Sequence, residues 1–156
     1  MGAGLLNVES SQLKQIAGWV EEVTILPEGL ELQAKLDTGA DHSSLDVKDL
    51  AQFEREGATW ARFDVTNHLG KSARFERKIL RVSRSRLHRG GPQPRPVVLL
   101  GICLGNHRPE VEVNLVDRSG FTYPLLIGRS FLQGRIVVDP AMAFVLKPEC
   151  RGATEQ

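Results

Sequence analysis

A mostly β fold, closed or sandwiched, is what this sequence predicts, and three observations predict it. Apolar residues recur at alternate positions in several short runs, Gly and Pro clusters interrupt those runs at close intervals, and only one brief segment carries a helical signature. At 156 residues the chain is long enough for one domain with a substantial core and too short for two ordinary ones.

Each element follows from local chemistry. Residues 1–14 have mixed polarity and no strong cap and are expected to be a flexible N-terminal segment, with the domain proper at 15–149 and a short tail at 150–156. The β-branched run "WVEEVTIL" (19–26), the turn "PEG" (27–29) and the strictly alternating "LELQAKL" (30–36) predict a hairpin. In its second arm Leu30, Leu32, Ala34 and Leu36 share one face while Glu31, Gln33 and Lys35 share the other. After Asp37 and a short connection, "WARFDVT" (60–66) and "SARFERKILRVS" (72–83) read as strands about the turn "NHLGK".

The segment 84–96 holds three Pro and two Gly, so it is expected to be a surface loop or hairpin tip. "VVLLGICLG" and "EVEVNLVD" predict a further hairpin around "NHRP", and "SGFTYPLLIG" returns to an apolar run. The short C-terminal helix is "RSFLQ" (129–133), stopped by Gly134. "RIVVDP" and "MAFVLKP" are expected to be two closing strands, with Asp139 as a turn residue and Trp19 and Trp60 in the core.

Composition narrows the functional classes. No apolar run reaches the roughly 18 residues of a membrane span, and the first residues fit neither a secretory signal nor an acylation motif. Cys103 and Cys150 permit one disulfide but form no framework and no metal spacing, so reduced cysteines in a cytoplasmic protein are the expectation. His42, His68, His88 and His107 are scattered with no His-Glu-x-x-His, and no Gly-rich phosphate loop is present, so neither metal nor nucleotide cofactor is expected.

The chemistry sits in "AKLDTGADHSSL" (34–45). A carboxylate on a Gly-permitted loop, a hydroxyl after it and an apolar strand behind it are what an aspartic peptidase needs. Such an enzyme also needs a second carboxylate a few ångströms away, so that one proton is shared while water is activated. The chain has no second Asp-Thr-Gly or Asp-Ser-Gly. A two-fold axis beside Asp37 would supply it from another copy of the chain. Ser43 and Ser44 read as hydroxyls that lock the loop, since no His partners them in a recognisable motif.

"LDTGADHSSL" followed by "YPLLIGRSFL" resembles the retropepsin pattern of a catalytic loop and an Ile-Gly-Arg segment entering a short helix. With "GWVEEVTIL", "WARFDV", "RPVV" and "VVDP", the likeness extends over residues 17–140 to a small bacterial retropepsin-like family that also carries an ATP-dependent zinc protease label. Within it the chain is most similar to members that work beside a RimK-type glutamate ligase, which adds glutamates to the C-terminus of a ribosomal small-subunit protein. The resemblance implies a retropepsin-like acid-protease barrel and a homodimeric aspartic endopeptidase that removes such tails. It implies Asp37, Thr38 and Gly39 as the catalytic triplet, Thr38 bonding across to its symmetry mate, and Ala40 and Asp41 as substrate-binding residues. It places Gly128 and Arg129 as structural support, Arg129 pairing with Asp41. Partners would be a glutamylated protein substrate and a RimK-type ligase, with no membrane and no direct nucleic acid.

Between Lys71 and Arg95 nine Lys or Arg stand against one acid, Glu76, in a chain of formal net charge +1. By order along the chain this region corresponds to the retropepsin flap. Arg81, Arg84, Arg86, Arg89 and Arg95 are then candidates to meet substrate carboxylates. A solvated charged loop and a phosphate-binding patch are the competing readings. A non-catalytic dimeric binding module of the same fold, recruiting a ligase or ribosomal protein, is the alternative to an enzyme.

Overall fold

The computed structural model describes residues 13–85, 93–117 and 120–150. In chain order the elements are β1 (Gln15–Ala17), β2 (Val20–Leu26), β3 (Leu30–Leu36), β4 (Ser43–Arg55), β5 (Ala58–Thr66), β6 (Ser72–Ser85), β7 (Gln93–Cys103), β8 (Glu110–Asp117), β9 (Leu125–Ile127), α1 (Arg129–Leu132) and β10 (Ile136–Val138). Eight strands form one sheet in the order β2-β3-β9-β4-β5-β6-β7-β8, and two further pairings, β2 with β7 and β4 with β8, bring the strands round into a ring. β1 and β10 make a separate parallel pair. The protein is thus mostly β, with one short helix near its C-terminal end.

The core fills the ring because the strands alternate. Leu30, Leu32, Ala34 and Leu36 are buried as their spacing dictates, and they meet Leu45, Leu100 and Leu115 from the facing strands. Phe63 and Phe75, directly opposite each other on β5 and β6, stack with ring centroids 5.5 Å apart.

Five expectations are corrected. The expected short connection after Asp37 contains a 13-residue strand, β4 (Ser43–Arg55), which bulges between Lys48 and Ala51. Asp49 sits there at φ 54°, and the change of facing disguises the period. Part of 84–96 is strand: Arg84 pairs with Pro94 and Val82 with Pro96, beyond the last residues that β7 shares with β8, where missing donors are tolerated. The apolar 142–148 is no strand. There the N–H groups of Val145 and Leu146 donate to the buried carboxylate of Glu21, at 3.1 and 2.9 Å.

Trp19 is 40% exposed, and Trp60 is half-buried against Phe53 under the guanidinium of Arg55. Finally, Cys103 and Cys150 are joined in a disulfide across 47 residues, a closure worth about 4 kcal/mol of denatured-chain entropy. Residues 1–12 and 151–156, most of the two expected terminal segments, lie outside the described residues, as do residues 86–92, which hold part of the expected surface loop or hairpin tip. Among the described residues no helix is long and apolar enough to cross a membrane.

Candidate active site

Strand β3 delivers Asp37 to the edge of the ring. The Leu36 N–H donates to the Trp19 carbonyl and the Asp37 N–H to that of Ile127, both at 2.8 Å, so the backbone is held from two sides as it leaves the sheet. The chain then turns. Ala40 N–H donates to the Asp37 carbonyl at 3.2 Å, and Gly39 N–H donates to Asp37 Oδ1 at 2.8 Å. A Cβ on Gly39 would stand 3.2 Å from that oxygen, so glycine lets the amide and carboxylate approach. The Gly39 bond is the one made to the Asp37 carboxylate among the described residues, and Asp37 is half-buried.

The start of α1 clamps this loop. Arg129 N–H donates to the Ala40 carbonyl at 2.8 Å and Ser130 N–H to that of Asp41 at 2.9 Å. Gly128 N–H donates to the buried Ser43 Oγ at 3.2 Å. A Cβ at Gly128 would lie 2.9 Å from the Ala40 carbonyl oxygen and closer still to the His42 carbonyl, so no side chain fits. The Arg129 guanidinium donates from Nη1 to the Thr38 carbonyl at 2.8 Å and from Nη2 to the Asp41 carboxylate. Asp41 is 74% and Arg129 48% exposed, so this fork contributes geometry more than Coulomb energy.

The basic residues divide. Arg81 pairs with Glu112 at 2.6 Å, and these two line a small cavity with His42, Ser83, Val97 and Asn114. The Arg81 hydrogen bond holds the Glu112 carboxyl below its usual range; partial burial opposes this, and the charges of Arg81 and His42 add to it. Arg95 Nη1 reaches Asn114 Oδ1 at 3.4 Å, while its Nε is buried with no partner among the described residues. Arg84 is exposed on β6, and Arg86 and Arg89 lie outside the described residues. The fold thus brings Arg81 and Arg95 to the flank of the loop that follows Asp41.

Asn114 and Glu112 escaped the sequence reading. Asn114 accepts from Ser44 Oγ at 2.9 Å and donates to the Ser43 carbonyl at 2.9 Å, tying β8 to the end of the loop. The available signal was weak: an Asn and a Glu on the polar face of "EVEVNLVD" look like ordinary solvent-facing residues. Among the described residues no His, Cys, Asp or Glu cluster could hold a metal ion.

A ring of strands that ends one strand in Asp-Thr-Gly, and locks that turn with Ile-Gly-Arg at the entry to a short helix, defines a retropepsin-like protein. The chain belongs to the RimB-like family, described as retropepsin-like aspartic endopeptidase RimB, which matches residues 16–149. It is 31% identical over 118 residues to a probable alpha-L-glutamate ligase of Shewanella halifaxensis (strain HAW-EB4), covering 74% of this chain and 26% of that one. A probable alpha-L-glutamate ligase of Parasynechococcus marenigrum (strain WH8102) is 31% identical over 112 residues, covering 70% and 24%. The chain therefore spans about a quarter of the length of these curated relatives. The crystal structure of a protein with unknown function (DUF785) from Legionella pneumophila subsp. pneumophila str. Philadelphia 1 superposes with a TM-score of 0.73 at 38% identity, covering 86% of this chain and all of that one.

Proposed function

We propose that the protein is a homodimeric aspartic endopeptidase that cleaves poly-α-glutamate extensions from the C-terminus of a protein such as a ribosomal small-subunit protein. The observation that carries the reading is the Asp-Thr-Gly turn itself. It presents a half-buried carboxylate with a single hydrogen bond among the described residues, held from below by Gly128 and Arg129. One such carboxylate is half of a peptidase. Paired about a two-fold axis, two Asp37 side chains share one proton, so that one takes a proton from water while the other polarises the scissile carbonyl. The pair gives up its protons in two steps that belong to both members, so the rate falls on either side of an optimum.

Two features support this assembly. Thr38 and Gly39 are exposed in the single chain, where a second copy would cover them. Leu13, Ile16 and Val137 leave an exposed apolar strip along β1 and β10, 69%, 58% and 49% accessible, suited to burial in a dimer. For the substrate, the relatives named as glutamate ligases connect this fold to glutamate chemistry, and Arg81, Arg84 and Arg95 supply the complementary charge. A RimK-type ligase would make what this protein removes.

The test is cleavage of a peptide bearing an α-linked glutamate tail, followed by mass spectrometry, with wild type and Asp37→Asn. Cleavage should fall by about 10²- to 10⁴-fold in the variant, and sedimentation should show dimers. Retained cleavage in Asp37→Asn would dispose of the mechanism. Peptide binding by wild type without cleavage would favour a binding module, a reading that the much longer ligase-named relatives also accommodate.

A further inference from the structure

Beside the Asp-Thr-Gly turn, on the outer face of β3, lies a groove of about 370 Å³ lined by Trp19, Lys35, Phe121, Thr122, Tyr123 and Leu126. Lys35 is the one charged residue among its described lining residues. It stands two residues before Asp37, pointing away from the core that takes Ala34 and Leu36, and it is in register with Leu126 on β9. The next β9 residue, Ile127, accepts the Asp37 N–H. Groove and acid therefore hang on the same strand pair. Trp19 and Tyr123 meet edge to face with centroids 5.9 Å apart, and Trp19 and Phe121 are 40% and 36% exposed. Lys35 makes no ion pair among the described residues.

We propose that this groove is a subsite for a glutamate side chain of an acidic peptide and that Lys35 sets its specificity; the inference rests on the peptidase reading and names what that site selects. The chemistry is that of an ammonium rimmed by aromatic surface. The rings pack on the side chain's methylenes and thin the water around the ion pair, which strengthens it. Charge also decides between neighbouring grooves. A second one of about 280 Å³ shares Phe121 and Thr122 but contains Asp46, Lys48, Asp64 and His68, so a polyanion there would meet carboxylates. Of these two grooves, the one at Lys35 presents a single sign among its described lining residues. The competing occupants are bulk solvent over an ordinary polar strand face, which Glu31, Gln33 and Lys35 together form, and a second copy of the chain.

Binding separates these without requiring turnover. In the Asp37→Asn background, acetylated tetra-α-glutamate and tetraglutamine are titrated by calorimetry and by the fluorescence of Trp19, with Trp19→Phe identifying its signal. Tetraglutamate should bind about tenfold more tightly, adding Lys35→Gln should erase that preference, and adding Lys35→Glu should turn it toward a lysine-containing tetrapeptide. Lys35 is exposed, so its variants should melt with the parent. Equal affinities, no binding of either peptide, or a preference that survives Lys35→Gln would overturn the inference. So would Lys35→Glu abolishing dimers while leaving peptide affinity alone. A wild type that cleaves nothing, yet shows the Lys35-dependent preference, would sink the peptidase and keep the subsite; a wild type that cleaves with no response to Lys35 would do the reverse.

Discussion

The Asp-Thr-Gly turn and the base of the basic β6–β7 arm are neighbours joined through His42 and Asn114, yet different forces hold them. The turn is fixed by main-chain bonds to Ile127, Arg129 and Ser130 and by a glycine that admits no side chain. The arm is itself a backbone-paired hairpin of β6 and β7, and what ties its root to the flank of the turn is side chains: Arg81 on Glu112 and Arg95 on Asn114, with Arg84 exposed beyond them. Backbone bonds and glycine contacts fix position to a fraction of an ångström and tolerate no substitution. Exposed ion pairs supply charge and can be altered singly at small cost. The difference is what separates a part that must place an atom from a part that must supply a field.

The largest effect that would test this contrast is at Gly128. Gly128→Ala forces a Cβ into the Ala40 and His42 carbonyls, which are backbone and cannot swing aside. It should cost about 3 kcal/mol, read from urea unfolding. Gly101→Ala on β7 is the control, because there the nearest atom is Leu26 Cβ at 3.4 Å, ordinary contact; it should change stability by less than about 1 kcal/mol. Equal costs would break the comparison. Next is Arg129→Lys, which keeps the charge but cannot reproduce a planar fork serving both Thr38 and Asp41. Exposure limits the stability loss to about 1 kcal/mol. Peptide cleavage should drop by about tenfold, since a small misplacement of the loop displaces Asp37. Full activity in the lysine variant would mean the fork is ornamental.

How legible these parts were in the sequence follows the same divide. β3 and the turn it delivers were readable because alternation toward one core, and a tripeptide with narrow chemistry, are both local. β4 was not: Ser43, Leu45 and Val47 alternate inward, but the bulge at Lys48 to Ala51 resets the facing, so "SSLDVKDLAQFER" has no single period. "MAFVLKP" has the composition of a strand, yet its backbone is satisfied by Glu21, more than a hundred residues earlier in the chain. A buried carboxylate that ends in distant amides leaves no local trace. The same holds for Cys103 and Cys150, whose pairing depends on where the C-terminal segment docks. Trp19 reads as core by residue type and is exposed because its ring leans on Tyr123 over the outer face of β3. The flank formed by Arg81, Glu112, His42 and Asn114 requires strands β4, β6, β7 and β8 to be assembled before any of them meet.

For the arm, Arg84→Ala should leave stability within about 0.5 kcal/mol of wild type, because the Arg84 side chain is exposed and makes no ion pair among the described residues. It should slow turnover of glutamate-tailed peptides by about threefold at low ionic strength, and added salt should remove most of the difference. Insensitivity of turnover to both the substitution and the salt would assign the arm to surface alone. A threefold loss that persisted in high salt would instead mean that Arg84 touches substrate directly.

The smallest effect lies where the two regions meet. Glu112 titrates below the usual glutamate range chiefly because Arg81 donates to it, with partial burial working the other way and the charges of Arg81 and His42 contributing. A carboxylate depressed in the folded state is ionised over a pH range where the unfolded chain has taken up a proton. The Arg81 contact therefore adds stability that is fully present above the ordinary glutamate pKa and disappears as pH falls through the folded-state value. Arg81→Ala should return the Glu112 titration, followed by the side-chain carbonyl carbon in NMR, toward the ordinary range, and it should flatten the acid limb of the stability curve. His42→Ala should move the same titration upward by less, since its charge is the minor cause. If His42→Ala moved Glu112 as far as Arg81→Ala does, the loop and the arm would be one electrostatic unit, and the division between placing and charging would fail at its seam.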